Sequence, residues 1–312
     1  MAVQVVGSVN VDMIAMVDRL PAPGETVLAR GVERMAGGKG ANQAIAAARM
    51  GAPTGIAGAI GADEAGAWMS EQLAGAGVDV SALSIMPGMQ TGTAYIAVDS
   101  AGENQIIVAS GANAALPAVA SVGAGVLLAQ MEVPVERLLP VFAGARGLRI
   151  LNAAPPEDGA RALLPHVDIL IVNQHELAVL LGLSAAPDTV EGALAARGLI
   201  LRADQVVIVT LGAGGVLAVW ADRHRHIPAA RVDPVDTIGA GDCFCGALAA
   251  LLDAGTALEQ ALPIANAAAA LCTQAHGAAP AMPTRAAVEA FMARAATEHA
   301  PAIKNGDAIA LS

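Results

Sequence analysis

The chain has 312 residues, of which 28 are acidic and 17 basic, and its formal net charge is -11. No cluster of Lys and Arg interrupts this acidic balance, so the composition argues against a nucleic-acid or membrane partner. Hydrophobic residues make up 55% of the chain, but they are spread among Gly, Pro and charged residues, and no apolar run is long enough to span a bilayer. The length favours one large domain over residues 1–312.

Short β-branched runs alternate with longer helix-forming stretches along most of the chain. This alternation predicts an α/β fold with a mostly parallel sheet and helices on both faces. The predicted strands are residues 3–6, 56–60, 126–128, 148–151, 169–172 and 206–210. The predicted helices are residues 41–50, 64–74, 133–142, 176–181 and 240–252.

Two regions, at about 11–34 and 91–110, break the alternation. In the second, strand-like residues 95–98 and 105–108 flank a turn at 99–102, which predicts a β-hairpin. Strands inserted into an α/β domain often cover the carboxyl edge of its sheet, so we expect a small β lid there. The segment after His299 is predicted to be weakly structured.

The amino terminus shows no signal-peptide pattern, because residues 1–7 pass directly into a strand. The cysteines Cys243, Cys245 and Cys272 form neither an even disulfide set nor a C-x-x-C motif. Buried reduced thiols in a cytoplasmic protein are therefore expected.

Residues 236–242 form a glycine-containing turn that opens into an apolar helix. Free backbone amides at such a helix start bind anions, and Asp242 in the first turn can accept a proton from a hydroxyl. This pattern suits phosphoryl transfer. The motif alone also fits a structural glycine turn in which Asp242 stabilises the helix.

A second glycine-rich stretch, residues 37–43, places Lys39 and Asn42 at the entrance of a helix, where they can hold a polyol. It lacks P-loop spacing, and alone it also fits a structural turn. Polar residues follow three predicted strands, where ligands of α/β folds bind, although each is equally suited to capping or turns. These polar residues are Asn10, Asp12, Glu132, Asn173 and Glu176.

Residues 210–215 follow a strand and lead into another, which allows a nucleotide close to the backbone, although a plain hairpin also fits. No G-x-G-x-x-G opens a helix after the first strand, which argues against a nicotinamide-dependent dehydrogenase. The six histidines show no metal-ligand spacing.

Residues 7–12, 20–26, 37–43, 173–176 and 236–242 together resemble the ribokinase branch of the phosphofructokinase-B sugar kinases in order and spacing. Residues 102–104 and 111–116 are similar to that branch in particular, and the resemblance runs from about residue 3 to 283. It implies an ATP-dependent kinase that phosphorylates D-ribose at O5, with Gly37 and Gly38 as the hinge of the lid and a homodimer formed through the lid.

The resemblance also implies roles for individual residues. Asp242 would be the catalytic base, with Gly239, Ala240 and Gly241 as the anion hole. The sugar would be bound by Asn10, Val11, Asp12, Gly38, Lys39, Gly40, Ala41, Asn42, Glu132 and Asp242. ATP would be bound by Asn173, Glu176, Thr210, Leu211, Gly212, Ala213, Gly214, Gly215, Gly241, Asp242 and Asn266.

Magnesium would arrive with ATP, with Glu176 helping to organise metal and phosphate. The resemblance further implies a potassium site, formed mostly by backbone carbonyls, at Asp236, Ile238, Cys272, Ala275, Gly277 and Ala281. The sequence departs from the family pattern at three positions. Ala281 stands where many members carry Ser, which leaves potassium activation open, and Cys243 and Cys245 replace residues that are commonly Thr and Asn.

Two further hypotheses remain at this stage. The same fold and anion hole serve other alcohols, so a kinase for another furanose, such as deoxyribose or a nucleoside, is one alternative. The other is a non-catalytic, sugar-responsive binding protein that has kept the fold. The intact Gly239-Ala240-Gly241-Asp242 run argues against it.

Overall fold

A computed structural model describes residues 2–120, 123, 125–157 and 159–298 of the chain. The prediction of weak structure after His299 lies outside these residues. A nine-stranded sheet forms the centre. In spatial order its strands are β15 (His224–Ile227), β14 (Val216–Val219), β13 (Val206–Thr210), β12 (Ile169–Asn173), β11 (Leu148–Asn152), β10 (Val126–Gln130), β1 (Val3–Val6), β4 (Thr54–Ala57) and β6 (Val78–Asp79). Neighbouring strands pair in parallel, except that β14 pairs antiparallel with both β13 and β15.

Helices cover both faces of this sheet, as the alternation of strands and helices predicts. The helices are α1 (Lys39–Arg49), α2 (Glu64–Gly75), α3 (Val135–Gly144), α4 (Ala160–Leu163), α5 (Gln174–Leu181), α6 (Val190–Ala193), α7 (Ala240–Asp253), α8 (Leu258–Cys272), α9 (Ala278–Ala281) and α10 (Arg285–Glu298). Short 3₁₀ turns lie at Gly111–Ala115, Leu164–His166, Leu194–Leu199 and Gly212–Gly214.

Each central strand contributes alternate side chains to two separate cores, because successive residues of a strand point to opposite faces. Val5 and Leu128 pack on the face covered by α1 and α7, whereas Val6 and Leu127 pack on the face covered by α3 and α5. These strands are buried on both faces, so they read as continuous apolar runs. This is why the sequence shows them so clearly.

A separate four-stranded sheet forms the lid, in the order β3 (Gly31–Gly37), β2 (Asn10–Met16), β8 (Gly92–Val98) and β9 (Asn104–Ala109). The predicted hairpin is confirmed, because β8 and β9 pair antiparallel across the turn. β2 carries two residues that the sequence placed after the first strand, Asn10 and Asp12. They lie inside a lid strand, so they reach the site from the lid sheet.

The prediction of one strand at residues 56–60 is wrong. The strand is interrupted at Gly58, directly after the end of β4, and β5 (Ala59–Gly61) leaves the central sheet to pair with β7 (Ser84–Met86). A side chain at Gly58 would lie 2.9 Å from the carbonyl oxygen of Gly7, so the break also brings two backbones together. Periodicity cannot reveal a change of sheet within a continuous apolar run.

The remaining predicted strands and helices are confirmed within a few residues at their ends. Two long helices, α8 and α10, were not predicted. α8 contains Pro263, which is unfavourable inside a helix, and its apolar residues show no clear helical period, although its many alanines favour a helix. Among the described residues, no helix is long and apolar enough to cross a membrane.

Candidate active site

Helices α1 and α7 pack unusually closely, and this contact builds the centre of the site. A Cβ at Gly246 of α7 would lie 2.4 Å from the carbonyl oxygen of Gln43 and 2.6 Å from the Cβ of Ala46, both on α1. Only glycine allows that approach. The first turns of the two helices are thereby brought side by side, although about 200 residues separate them in sequence.

Asp242 lies in the first turn of α7 and is buried. Its Oδ2 accepts a hydrogen bond from Nδ2 of Asn42 at 3.0 Å, and its Oδ1 accepts one from Nε2 of Gln43 at 2.9 Å. Oδ1 of Asn42 is buried and has no partner among the described residues. The helix begins after Gly239, which has a φ of 77°. In its first turn the N–H of Ala240 donates to the carbonyl of Thr237 at 3.3 Å, whereas the N–H of Gly241 is not used within the helix.

Glu132 follows β10 and holds the start of α1 in place. Its Oε2 accepts hydrogen bonds from the hydroxyl of Ser8 at 2.5 Å and from the backbone N–H of Lys39 at 3.1 Å. The Ser8 hydroxyl in turn accepts from the N–H of Gly40 at 3.3 Å. The predicted sugar residues Gly38, Gly40 and Ala41 therefore form the entry and first turn of a helix that is anchored at the carboxyl edge of the sheet.

Asn10 is held by an amide that the sequence analysis did not identify. Nδ2 of Asn113 donates to Oδ1 of Asn10 at 2.7 Å and to the carbonyl of Val9 at 3.1 Å, and Oδ1 of Asn113 accepts from the N–H of Val9 at 2.9 Å. The neighbouring Val11 is buried within β2. The 3₁₀ turn that carries Asn113 thus orients the first lid strand.

Four carboxylates surround Lys39, and this shapes the electrostatics of the site. The pKa of the Lys39 ammonium is raised, chiefly by Asp242 and further by Glu132 and Glu176. The pKa of Asp12 is raised to about 7, first by burial and then by repulsion from Glu132 and Asp242, while Lys39 opposes the shift. A site with this excess of negative charge favours a ligand that brings hydroxyl donors or cations.

Asn173 and Glu176 form a capping box at the start of α5. Oδ1 of Asn173 accepts from the N–H of Glu176 at 2.8 Å, and the Glu176 carboxylate accepts from the N–H and from Nδ2 of Asn173, both at 2.8 Å. Burial raises the pKa of the Glu176 carboxyl. The two residues are therefore a helix cap, as one interpretation of the sequence held, and they also lie within electrostatic reach of Lys39.

A cavity of about 510 Å³ opens on the other side of the α7 start. Of the predicted nucleotide residues, Thr210, Gly212, Ala213, Gly215, Gly241 and Asn266 line it. Leu211, Gly214, Asn173, Glu176 and Asp242 are not part of its lining. Residues 229–232, which the sequence analysis did not identify, form a further wall, and Asn266 holds that segment by donating from Nδ2 to the carbonyl of Pro228 at 2.8 Å.

Asp236 joins the two segments that hold the predicted potassium residues. Its Oδ1 accepts from the N–H of Ile238 and its Oδ2 from the N–H of Gly277, both at 2.9 Å. The segment that follows contains α9 and Ala281, and Arg49 fixes it from α1. The guanidinium of Arg49 donates to the carbonyls of Ala279, Pro280 and Met282 at 2.7 to 3.1 Å.

The three cysteines are free and buried, as predicted. Burial raises the pKa of the Cys245 thiol well above its usual value, which disfavours the reactive thiolate. Cys272 lies at the last turn of α8, close to Cys243 in the first turn of α7. Among the described residues, no group of three or more His, Cys, Asp or Glu is arranged to hold a metal ion.

Three buried polar residues near Asp242 were not assigned a role from the sequence: Gln43, Gln130 and Asn152. Asn152 ends β11, just as Asn173 ends β12, so the rule for strand ends could have found it. Gln43 closes the glycine-rich stretch 37–43, but its contact with Asp242 depends on the packing of α1 on α7. No local pattern indicates that contact.

Comparisons with known proteins agree with this architecture. A family model described as pfkB family carbohydrate kinase matches residues 2–285. The chain is 36% identical over 297 residues to a bifunctional ribokinase/ribose-5-phosphate isomerase A from Fructilactobacillus sanfranciscensis, covering 91% of this chain and 55% of that protein. It therefore spans about half the length of this relative.

Two further relatives match along nearly their whole length. The chain is 34% identical over 301 residues to a ribokinase from Haemophilus influenzae, covering 93% of this chain and 98% of the relative. The structure of an Arabidopsis thaliana ribokinase complexed with ribose and ATP is 33% identical and gives a TM-score of 0.83, covering 94% of this chain and 99% of that one. The predicted resemblance is confirmed, and the chain belongs to the pfkB family of carbohydrate kinases.

Proposed function

We propose that the protein is a ribokinase, which transfers the γ-phosphoryl group of ATP to O5 of D-ribose. The observation that carries the proposal is the position of Asp242. Its carboxylate is held by two amides of α1 on the side of the sugar residues, while the preceding Ala240 and Gly241 line the cavity on the other side. The similarity to ribokinases, one of them solved with ribose and ATP, supports the substrate pair.

In the proposed reaction the sugar lies between the lid strand β2 and the start of α1. Asp12 and the free Oδ1 of Asn42 accept hydrogen bonds from its hydroxyls, and Lys39 donates to it. The carboxylate of Asp242 takes the proton of the 5-hydroxyl as O5 attacks the γ-phosphorus. The bond from that phosphorus to the bridging oxygen breaks, and ADP and ribose 5-phosphate are formed.

The start of α7 stabilises the negative charge that is transferred. The N–H of Gly241 is not used within the helix, so it can donate to the phosphoryl oxygens together with the helix dipole, and the N–H of Ala240 can join it by giving up its 3.3 Å bond to the carbonyl of Thr237. The cavity behind them takes the rest of ATP between residues 212–215 and residues 229–232. Magnesium would enter with ATP, and Glu176 is the nearby carboxylate that would orient its water ligands and neutralise it.

A monovalent cation such as potassium fits the donor set near Asp236. The segments at 236–238 and 272–281 offer backbone carbonyls, which are the hard oxygen ligands that such ions take, and Asp236 fixes the segments to each other through two amides. Ala281 supplies only its carbonyl. A bound cation would hold the loop that leads into the start of α7.

The whole chain acts as a single kinase domain with the lid sheet closing over the site. The strand β9 is exposed along its length and carries Ile106, Ile107 and Val108, and Tyr95 of β8 is exposed beside it. An apolar lid surface of this kind fits a homodimer formed through the lids. The free buried cysteines fit a reducing compartment such as the cytoplasm.

Turnover with a panel of sugars tests the proposal. D-ribose, 2-deoxyribose, a hexose and a nucleoside are each supplied with MgATP, in potassium and in sodium buffer, and ADP is measured. D-ribose should give the highest kcat/KM. Preference for deoxyribose or the nucleoside would redirect the assignment to another furanose, and sugar binding without product would support a binding protein.

The variant Asp242→Asn tests the base. It keeps the size of the side chain, so the sugar should still bind, while kcat falls about 100- to 10,000-fold because the general base is removed. Isothermal calorimetry with D-ribose and single-turnover kinetics measure the two effects. Near-normal turnover would refute the proposed role of Asp242.

A further inference from the structure

Buried amide side chains form a chain that ends at the carboxylate of Asp242. Nε2 of Gln43 donates to Oδ1 of Asp242 at 2.9 Å and to Oδ1 of Asn152 at 3.0 Å. Nε2 of Gln130 donates to Oε1 of Gln43 at 2.7 Å, and Nδ2 of Asn152 donates to the carbonyl of Ile171 at 3.3 Å. Both glutamines have no exposed surface. Buried amides lower stability unless they are hydrogen bonded, so the pairing of donors and acceptors in this set needs a physical explanation.

The backbone carbonyl of Ile171 determines which way each amide points. A carbonyl oxygen only accepts, so Asn152 turns Nδ2 towards it and Oδ1 towards Gln43. Gln43 must then present Nε2 to Asn152, and the same nitrogen reaches the carboxylate of Asp242. Its Oε1 is left to accept from Gln130. Gln43 therefore has one orientation, with a donor aimed at the carboxylate.

These amides connect the carboxylate of Asp242 to the central sheet. Gln130 ends β10, Asn152 ends β11 and Ile171 lies in β12, which are three adjacent parallel strands. Asn42 holds the other oxygen of Asp242 from the same helix as Gln43. With one donor on each oxygen, the carboxylate cannot turn about its bond to Cβ without losing a hydrogen bond. Sites built on strands and helices hold their geometry better than sites on loops.

We propose that Gln43 is a positioning residue for Asp242, and that Gln130 and Asn152 hold Gln43 in its donating orientation. The inference rests on the proposed role of Asp242 as the base. Gln43 acts through the carboxylate. Without its N–H the carboxylate can rotate away from the sugar hydroxyl, and a misplacement of about 1 Å can lower a rate about 100-fold.

Steady-state kinetics of Gln43→Met and Gln130→Met with D-ribose and MgATP test the proposal. Methionine keeps the length of the side chain but neither donates nor accepts as an amide does. We expect kcat to fall about 30- to 100-fold for Gln43→Met, with both KM values within about 3-fold of wild type, because the effect is on the reacting geometry. Gln130→Met should lower kcat about 5-fold, since Gln43 keeps its donor but loses a restraint.

Gln205→Met is the matched control. Gln205 is also a buried glutamine, but it lies directly before β13, at the amino edge of the sheet and away from the site. Its amide nitrogen donates to the carbonyls of Leu164 and Val167. Its replacement should lower the melting temperature without changing kcat. If Gln43→Met lowers the melting temperature in the same way and leaves kcat unchanged, the role of Gln43 is structural and the inference is wrong.

A double-mutant cycle separates positioning from any other effect on kcat. In the Asp242→Asn background, Gln43→Met should reduce the residual turnover no further, whereas independent roles would give additive losses. Additive losses would contradict the positioning role of Gln43 and leave the role of Asp242 as the base unaffected. Near-normal turnover of Asp242→Asn refutes the base itself, which is a different result. If Gln43→Met does not fold, judged by its affinity for ATP, Gln130→Met in the same cycle carries the test.

Discussion

The two sides of the candidate site are constructed differently. The sugar side, which is proposed to bind ribose, contains the charged and amide side chains of Asp12, Lys39, Asn42, Glu132 and Asp242. Hydrogen bonds to other side chains hold the last three of these in place. The nucleotide side, which is proposed to bind ATP, is the cavity between residues 210–216, 229–232 and α8, and half of its lining residues are glycine or alanine. The first can discriminate a ligand by hydroxyl geometry. The nucleotide side can recognise a ligand by its shape and by backbone contacts, which depend on the path of the backbone.

The difference predicts how each side responds to substitution. On the sugar side, the identity of a functional group should matter, and its loss should affect turnover or sugar affinity. On the nucleotide side, added volume should matter most, and it should affect nucleotide affinity. Three experiments test this contrast, beginning with the largest expected effect.

Lys39→Met removes the cation that lies among the four carboxylates Asp12, Glu132, Glu176 and Asp242. We expect kcat/KM for D-ribose to fall about 100- to 1,000-fold, because removal of one preorganised donor typically has that effect and the carboxylates then repel the phosphates of ATP without compensation. Lys39→Arg keeps the charge, so its kcat/KM for D-ribose should fall less than that of Lys39→Met. Kinetics within about 3-fold of wild type for Lys39→Met would show that charge on the sugar side is unimportant.

Gly215→Ala tests whether the nucleotide side depends on backbone shape. Gly215 has a φ of 90°, and a Cβ there would lie 2.1 Å from the carbonyl oxygen of Ile227, so the wall at residues 229–232 must move. We expect the Kd for ATP to rise about 10-fold or more, with D-ribose affinity unchanged. Calorimetry with each ligand measures both.

Gly212→Ala is the control for backbone strain. Gly212 lies in the same loop with a φ of 55°, but a Cβ there would have no neighbour within 4 Å. It should therefore raise the Kd for ATP much less than Gly215→Ala does. Equal effects of the two variants would mean that the positive φ, rather than the close approach, matters.

The smallest predicted effect concerns the raised pKa of Asp12, about 7 in the folded protein against 3.8 for the ordinary group. Between these values the folded state binds more protons than the unfolded state, so the ionisation of Asp12 lowers stability increasingly as pH rises from about 4 to about 7. Asp12→Asn removes this penalty. Its gain in melting temperature over wild type, without sugar, should be about 2–4 °C larger at about pH 8 than at about pH 5.

Glu33→Gln is the control for Asp12→Asn, because Glu33 is an exposed carboxylate on the neighbouring lid strand β3. Because Glu33 is exposed, its replacement should change the melting temperature by the same amount at both pH values. A gain for Asp12→Asn that is equal at both pH values would contradict burial of the Asp12 charge.

Much of the fold could be predicted because its physical signals are local. The central strands are buried on both faces and form continuous apolar runs, and the glycine turn before Asp242 marks a helix start. The change of sheet at Gly58 gave no such signal because the choice of partner strand is non-local. The helix α8 was missed because Pro263 and an almost continuous apolar run hide its helical period. The residues of the candidate site likewise divide into those that a local pattern indicates and those that only tertiary contacts bring together.

The sequence by itself determined that Asp242 stands at the first turn of a helix behind a glycine turn, and that charged and amide residues cluster in a few short motifs. These are consequences of local chain conformation. Only the tertiary structure decided that Gly246 lets α1 reach α7, that Gln43 and Asn42 hold the two oxygens of Asp242, and that residues 229–232 form a wall of the cavity. The physical reason is that these contacts join residues far apart in sequence, so close packing of the elements, and not a pattern within any one of them, brings the groups together.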